Sequence, residues 1–232
     1  GKFPMAKKVS IYWPSGQIQI LEDMTAGYVY TISEQRNSGK ENRRNKPMFT
    51  KSQSTLAQIK HSERIFDDFK RENLLPNKLS QLGPGISWGD IDNDNDNDVY
   101  IGGASGYPGR IFVNNGNSEF IMKYQSSFLR DKNFEDMGVL FIDVDEDGDL
   151  DLFVASGGVE CVPGSSLLLD RIYLNDGLGN FTKDRSSLMP DIRTSSSVVT
   201  AADIDLDGTQ EIFIGGRVVP GEYPSSPSSY II

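Results

Sequence analysis

Three short windows of the chain place carboxylates on alternate residues. Counting the first aspartate of each as position 1, the first window offers Asp90, Asp92, Asp94 and Asp98 at positions 1, 3, 5 and 9. The second offers Asp143, Asp145, Asp147 and Asp151, and the third Asp203, Asp205, Asp207 and Glu211. Hard carboxylate oxygens on alternate residues of a tight loop can converge on one cation, while position 7 (Asp96, Asp149 and Thr209) turns its backbone carbonyl inward. Six or more oxygens at flexible distances suit Ca²⁺, whereas Mg²⁺ takes fewer protein ligands and keeps more water. The windows therefore predict two to three Ca²⁺ ions. Position 6 must turn sharply, and it is Gly148, Gly208 and Asn95. Asparagine tolerates a left-handed backbone better than other residues with a Cβ, so Asn95 fits the same geometry.

An EF-hand begins in this way but needs a bidentate Glu at position 12 and a helix on each side. Here position 12 is Ile101, Val154 and Ile214, each within an apolar strand pattern. Aspartate and asparagine also favour plain turns. Against that reading, four or more carboxylates within nine residues repel one another without a cation, and the pattern occurs three times. Glu211 is one methylene longer than aspartate, which loosens the third site relative to the others.

The elements that position these loops repeat with them. GISWGDIDNDNDNDVYIGG (85–103), GVLFIDVDEDGDLDLFVASGG (138–158) and SVVTAADIDLDGTQEIFIGG (197–216) start their loops 53 and 60 residues apart. Each is an apolar strand, an acidic loop, a second apolar strand and a Gly- or Ser-rich turn. In the first two copies a third strand follows, Arg110–Asn114 and Arg171–Asn175, and then a Gly/Asn turn before Phe120 or Phe181. Four short antiparallel strands per unit is the anatomy of a propeller blade. The fold class expected is all-β: a partial β-propeller of four-stranded blades at residues 61–232, its last blade incomplete, behind a small β-rich domain. Trp88, Tyr100, Phe112, Phe141, Phe153, Tyr173 and Phe213 are expected to pack within or between blades. Propellers close with about four to eight blades, so three repeats predict part of a ring whose open faces could self-associate.

Ahead of the repeats, Val9, Ile11 and Trp13 alternate before Pro14-Ser15-Gly16, and Ile18 and Ile20 alternate after it, a β-hairpin pattern. Tyr28–Ile32 reads as a third strand, completing a β domain at residues 1–35. Residues 36–60, with Arg36, Lys40, Arg43, Arg44 and Lys46 among Asn, Ser and Gly, read as a polar basic linker. Residues 61–84 hold apolar positions without a clean period, a short helix or an irregular lead-in.

Composition narrows the function. The formal net charge is −10, which disfavours nucleic acid as a partner. Cys161 is the only cysteine and His61 the only histidine, which excludes an internal disulfide and a cysteine-built zinc site. No segment approaches the ~20 apolar residues of a membrane span, and no charged-then-apolar leader opens the chain. The conspicuous carboxylates are committed to loops, and Glu63, Asp67 and Asp68 have no catalytic context, so no enzyme is expected. The alternative is a polysaccharide-processing enzyme or its carbohydrate-binding accessory module.

The stretches DIDNDNDNDVYIGG, DVDEDGDLDLFVASGG and DIDLDGTQEIFIGG resemble FG-GAP repeats, also called VCBS-type repeats. The Asp-x-Asp-x-Asp-Gly-x-x-Asp loops of that family bind calcium in integrin α-subunit propellers. VSIYWPSGQIQILEDMTAGYVYTI resembles the C-terminal part of an ASPIC/UnbV domain through Trp13-Pro14-Ser15-Gly16, and the combination is similar to proteins of the cartilage-acidic-protein type. The resemblance implies a secreted or cell-surface, calcium-stabilised module acting in adhesion or ligand binding, with an unidentified protein or glycan as partner. Asn95 for the loop glycine and Glu211 for the last aspartate depart from the motif.

Overall fold

The structure, a computed structural model, describes residues 4–34, 49–117, 119–186 and 189–232. It contains two compact units, Gly1–Lys51 and Ser52–Ile232. Among the described residues no helix is long and apolar enough to cross a membrane.

The first unit holds one antiparallel hairpin, β1 (Met5–Tyr12) and β2 (Ile18–Thr25). Pro14 fixes the turn, and the amide of Gly16 returns to the Trp13 carbonyl at 2.9 Å with φ +83°. The better-covered face carries Val9, Ile11, Gln19 and Leu21; Ile18 and Ile20 are exposed on the other. Tyr28–Ile32 forms no strand, and Tyr28, Val29 and Tyr30 are exposed: the segment has strand-forming side chains but buries too little of them to hold it against the hairpin. The proposed linker, residues 36–60, lies partly outside the described residues. Its described end includes a 3-10 turn, Thr55–Gln58, where the Thr55 hydroxyl exchanges hydrogen bonds of 3.0 Å with the backbone of Phe120.

The second unit contains α1 (Asp68–Arg71), a single turn in an otherwise irregular lead-in, and then the repeats. β3 (Ile86–Gly89), β4 (Asp98–Ile101), β5 (Arg110–Asn114) and β6 (Phe120–Lys123) make a four-stranded antiparallel sheet in sequence order. After α2 (Ser126–Arg130), β7 (Asp136–Ile142), β8 (Asp151–Ser156), β9 (Arg171–Leu174) and β10 (Thr182–Lys183) repeat the arrangement. β11 (Ser195–Ala202), β12 (Glu211–Val218) and β13 (Tyr230–Ile231) form a third, three-stranded sheet. These are blade-like sheets of an all-β fold, and each acidic loop joins the first two strands of its sheet.

Strand β8 explains how the sheets stack. All six of its residues are buried, and its apolar run Leu152-Phe153-Val154-Ala155 does not alternate in polarity. Leu152 and Val154 enter one core with Tyr100 and Ile111 of the first sheet, whereas Phe153 and Ala155 enter another with Ile212 and Ile214 of the third. Successive side chains of a strand point to opposite faces, so a strand covered on both sides needs an unbroken apolar run. Phe128, on α2, packs edge-on against Tyr100 at 5.4 Å and Tyr173 at 4.9 Å between ring centroids. The first two sheets also share a buried polar network. Arg171 pairs with Asp136 at 2.5 Å, and the second oxygen of Asp136 accepts the Tyr100 hydroxyl at 2.8 Å and the Gly103 amide at 2.7 Å.

Five of the seven expected core aromatics are buried: Tyr100, Phe112, Phe141, Phe153 and Tyr173. Trp88 and Phe213 are not, at 53 % and 37 % exposed. Trp88 stands on β3, edge-on to Phe120, and Phe213 on β12 faces away from the core that takes Ile212 and Ile214. Among the described residues of the second unit, neither joins the two apolar cores between the sheets.

Candidate metal centres

The three loops adopt one backbone. Position 6 is left-handed in each, at φ +70° for Asn95, +94° for Gly148 and +99° for Gly208, as the turn chemistry predicts. Position 4 is left-handed too: Asn93 (+61°), Glu146 (+61°) and Leu206 (+64°). Sequence reasoning missed this, because glutamate and leucine give no signal for that conformation.

Hydrogen bonds to the loop carboxylates hold the backbone there. Position 1 accepts the position 6 amide in every loop: Asp90 from Asn95 at 2.9 Å, Asp143 from Gly148 at 3.0 Å and Asp203 from Gly208 at 3.1 Å. Position 5 accepts the position 7 amide: Asp94 from Asp96, Asp147 from Asp149 and Asp207 from Thr209, at 2.8–2.9 Å. The Thr209 hydroxyl adds a 2.6 Å bond to Asp207 and draws its carboxyl below the usual range.

Position 9 closes each loop. Asp98 accepts the Ile91 amide and Asp151 the Val144 amide at 3.0 Å, and Glu211 accepts the Ile204 amide at 2.7 Å. Asp98 and Asp151 are fully buried, and their second oxygens accept the amides of Asn114 and Asn175 at 2.8 Å. Glu211 is partly exposed, and its loop lies nearer the surface. The repeated Arg-Ile-aromatic-aliphatic-Asn of β5 and β9 was the sequence signal for Asn114 and Asn175, although it did not disclose their role. The Asn175 side chain reaches further, donating to the carbonyls of Ile91 at 2.8 Å and Leu150 at 3.1 Å, so it ties the first loop to the second. Asn93 donates to Asp149 at 2.9 Å across the same boundary.

The structure brings positions 1, 3 and 9 together. Asp90, Asp92 and Asp98 form one trio, Asp143, Asp145 and Asp151 a second, and Asp203, Asp205 and Glu211 a third, each with carboxylate oxygens within 4.8 Å of one another. Asp94, Asp147 and Asp207 at position 5 lie beside these trios, turned to the position 7 amides. Asp96 and Asp149 are half-buried and Thr209 is exposed.

Two oxygens test whether a cation fits. Asp92 Oδ1 and Asp143 Oδ1 are buried and have no hydrogen-bond partner. A buried carboxylate oxygen without a partner is costly, and a divalent ion in the trio would supply what is missing. Proton affinity points the same way. Burial, then repulsion from Asp94 and Asp90, pushes Asp92 up, and burial raises Asp98 and Asp151 despite the amides they accept. Asp145 moves upward through desolvation and the neighbouring Asp147 charge. The residues present fit a hard cation bound through oxygen, with the first two trios better enclosed than the third.

No curated protein matches the sequence. The profile of the FG-GAP-like repeat family matches residues 90–154 and again 143–214, registers that run from one acidic loop across the strands to the next. Such repeats are consistent with adhesion or ligand-binding modules. The two matches together span more than half of the chain, through all three loops and the sheets between them, and the chain belongs to the FG-GAP-like repeat family.

Proposed function

We propose that this chain is a non-catalytic adhesion or ligand-binding module that works outside the cell and is stabilised by Ca²⁺ in its three acidic loops. The observation that carries the reading is the pair of buried, unpartnered oxygens, Asp92 Oδ1 and Asp143 Oδ1, inside carboxylate trios of successive repeats. Three Ca²⁺ ions would bring six positive charges to a chain whose formal net charge is −10. In this reading the ions hold the loop hairpins closed and perform no chemistry. Asp90, Asp92 and Asp98, with their counterparts in the other loops, supply carboxylate oxygens. Asp94, Asp147 and Asp207 set the loop backbone, and position 7 supplies a carbonyl. An extracellular setting agrees with loops of this kind, whose affinities reach the millimolar calcium found there. A site at 100 times its Kd adds about 2.7 kcal/mol to stability.

Calorimetric titration with Ca²⁺ and melting with and without chelator test the proposal. Two or three bound ions and a melting temperature that falls on chelation are expected. An unmoved melting curve together with no heat of binding would overturn it. Arrays of glycans and proteins probed with and without Ca²⁺ test the ligand-binding role, which predicts at least one calcium-dependent ligand; catalytic turnover of a polysaccharide by the purified chain would contradict the non-catalytic part.

A further inference from the structure

The loop between β7 and β8 holds the second acidic trio. At the other end of the same two strands, Glu135 directly precedes β7 and Gly157 directly follows β8. There a cavity of about 370 Å³ is lined by Arg64, Ser105, Asn133, Glu135, Glu160 and Cys161, among others. Its size is that of a small-ligand pocket. Glu135 is 5 % exposed, and its Oε1 is buried without a hydrogen-bond partner. The other oxygen lies where only glycine could follow: a Cβ on Gly158, at φ +86°, would stand 2.1 Å from Oε2.

The cations nearby are already committed. Arg64 donates through Nε to Glu160 at 2.7 Å, and Arg71 donates to the carbonyls of Val159 at 2.5 Å and Cys161 at 2.8 Å. Asp136, the next residue, has Arg171. Among the described residues Glu135 is thus a buried carboxyl with three further carboxylates acting on it, Glu160, Glu63 and Asp136, and no cation bonded to it.

We propose that this cavity binds an organic cation bearing N–H donors, a primary ammonium or a guanidinium group, independently of the calcium loops. The missing partner of Glu135 is a donor, and the surplus of carboxylates over Arg64 selects a positive one. The pocket lining includes no aromatic ring, so the site lacks the cage that quaternary ammonium groups need and the stacking surface usual for sugars. A divalent metal is the poorer fit: among the described residues, the carboxylate trios that converge within 4.8 Å are those of the acidic loops.

Binding would be linked to a proton. Burial, then the charges of Glu160, Glu63 and Asp136, holds Glu135 at about 8, against the opposing effect of Arg64. Arg64 and Glu160 also line the wall, and the Cys161 thiol there is pushed up, first by burial. An incoming cation therefore displaces the Glu135 proton near neutrality, and its affinity should rise as pH increases through about 8.

The test uses the full chain with saturating Ca²⁺. It is titrated calorimetrically with n-butylamine and n-butylguanidine in two buffers of different ionisation enthalpy, with n-butanol and tetramethylammonium as controls. Saturable binding of at least one primary cation, release of close to one proton at neutral pH, and no saturation by either control are expected. Glu135→Gln should weaken that binding at least about tenfold while leaving Ca²⁺ binding unchanged. Should Glu135→Gln fail to fold, Glu160→Gln reads the same effect, with a several-fold loss. Butanol binding as tightly as the amine, cation binding that survives Glu135→Gln, or no saturation by either primary cation overturns the proposal. So does Mn²⁺ whose relaxation enhancement centres on Glu135 in place of the loop aspartates.

Discussion

Asp151 and Asn175 are joined by a 2.8 Å hydrogen bond from the Asn175 amide to Oδ1 of a fully buried carboxylate, while the second oxygen accepts the Val144 amide. One side chain thus closes the acidic loop and binds it to the third strand of its sheet. Asp98 and Asn114 repeat the relationship at 2.8 Å, and among the described residues Glu211 has the loop bond only. Asp151→Ala should therefore destabilise the chain even in chelator, by about 2–4 kcal/mol, because two amides lose their acceptor. Glu211→Ala, at a more exposed loop, should cost less than about 1 kcal/mol in chelator. Urea denaturation of the two variants checks the order; equal losses would refute it.

The loop backbone predicts opposite signs for two exposed substitutions. Gly148 sits at φ +94° with nothing within 4 Å of an added Cβ, so Gly148→Ala has space but not the conformation. It should cost about 1–2 kcal/mol. Leu206 already pays that penalty at φ +64° while its side chain is 85 % exposed. Leu206→Gly should be neutral or stabilising by up to about 1 kcal/mol. Thermal melts in chelator separate the two, and a clear loss on Leu206→Gly would contradict the assignment.

Core weight should follow the stacking of sheets and not aromatic content. Phe153, fully buried between the second and third sheets, should lose about 3–5 kcal/mol on Phe153→Ala. Trp88→Ala, at a half-exposed ring, should lose far less. Denaturant midpoints that rank the two equally would show that the face bearing Trp88 is covered in solution.

Asp170 makes stability depend on pH. Burial raises its pKa to about 7, in spite of the Ser156 amide at 2.7 Å, the Ser196 hydroxyl at 3.2 Å and the Arg171 charge. The folded chain keeps a proton that the unfolded chain gives up above about pH 4. This contribution is complete below pH 4 and is lost as pH rises to 7. Asp170→Asn should remove that slope, so the variant gains on the wild type between pH 4 and pH 7 in chelator. A constant difference across that range, measured by urea denaturation, would count against a titrating Asp170.

Most of what is local or repeated was legible in the residues alone, the left-handed position 4 of the loops excepted. Alternate aspartates with Gly or Asn at position 6 define a loop whose carboxylates converge, and they do so for positions 1, 3 and 9 in all three copies. Apolar runs on either side define the strands, and the Pro14–Gly16 turn defines the first hairpin. The rest depends on neighbours distant in sequence. Tyr28–Ile32 has the residue types of a strand, yet its side chains stay exposed and it forms none, because burial and not residue type decides pairing. Trp88 and Phe153 look alike in their strands, but only one has a sheet on each side. Asn175 stood in a repeated Arg-Ile-aromatic-aliphatic-Asn pattern that did not disclose its role, and Glu135 carried no motif. One acts through carbonyls 25 and 84 residues away, and the other through carboxylates contributed by separate segments. Conformation at position 6 follows from the residue that stands there, whereas position 4 is set by how the loop closes, and burial and proton affinity by whatever the rest of the chain packs against them.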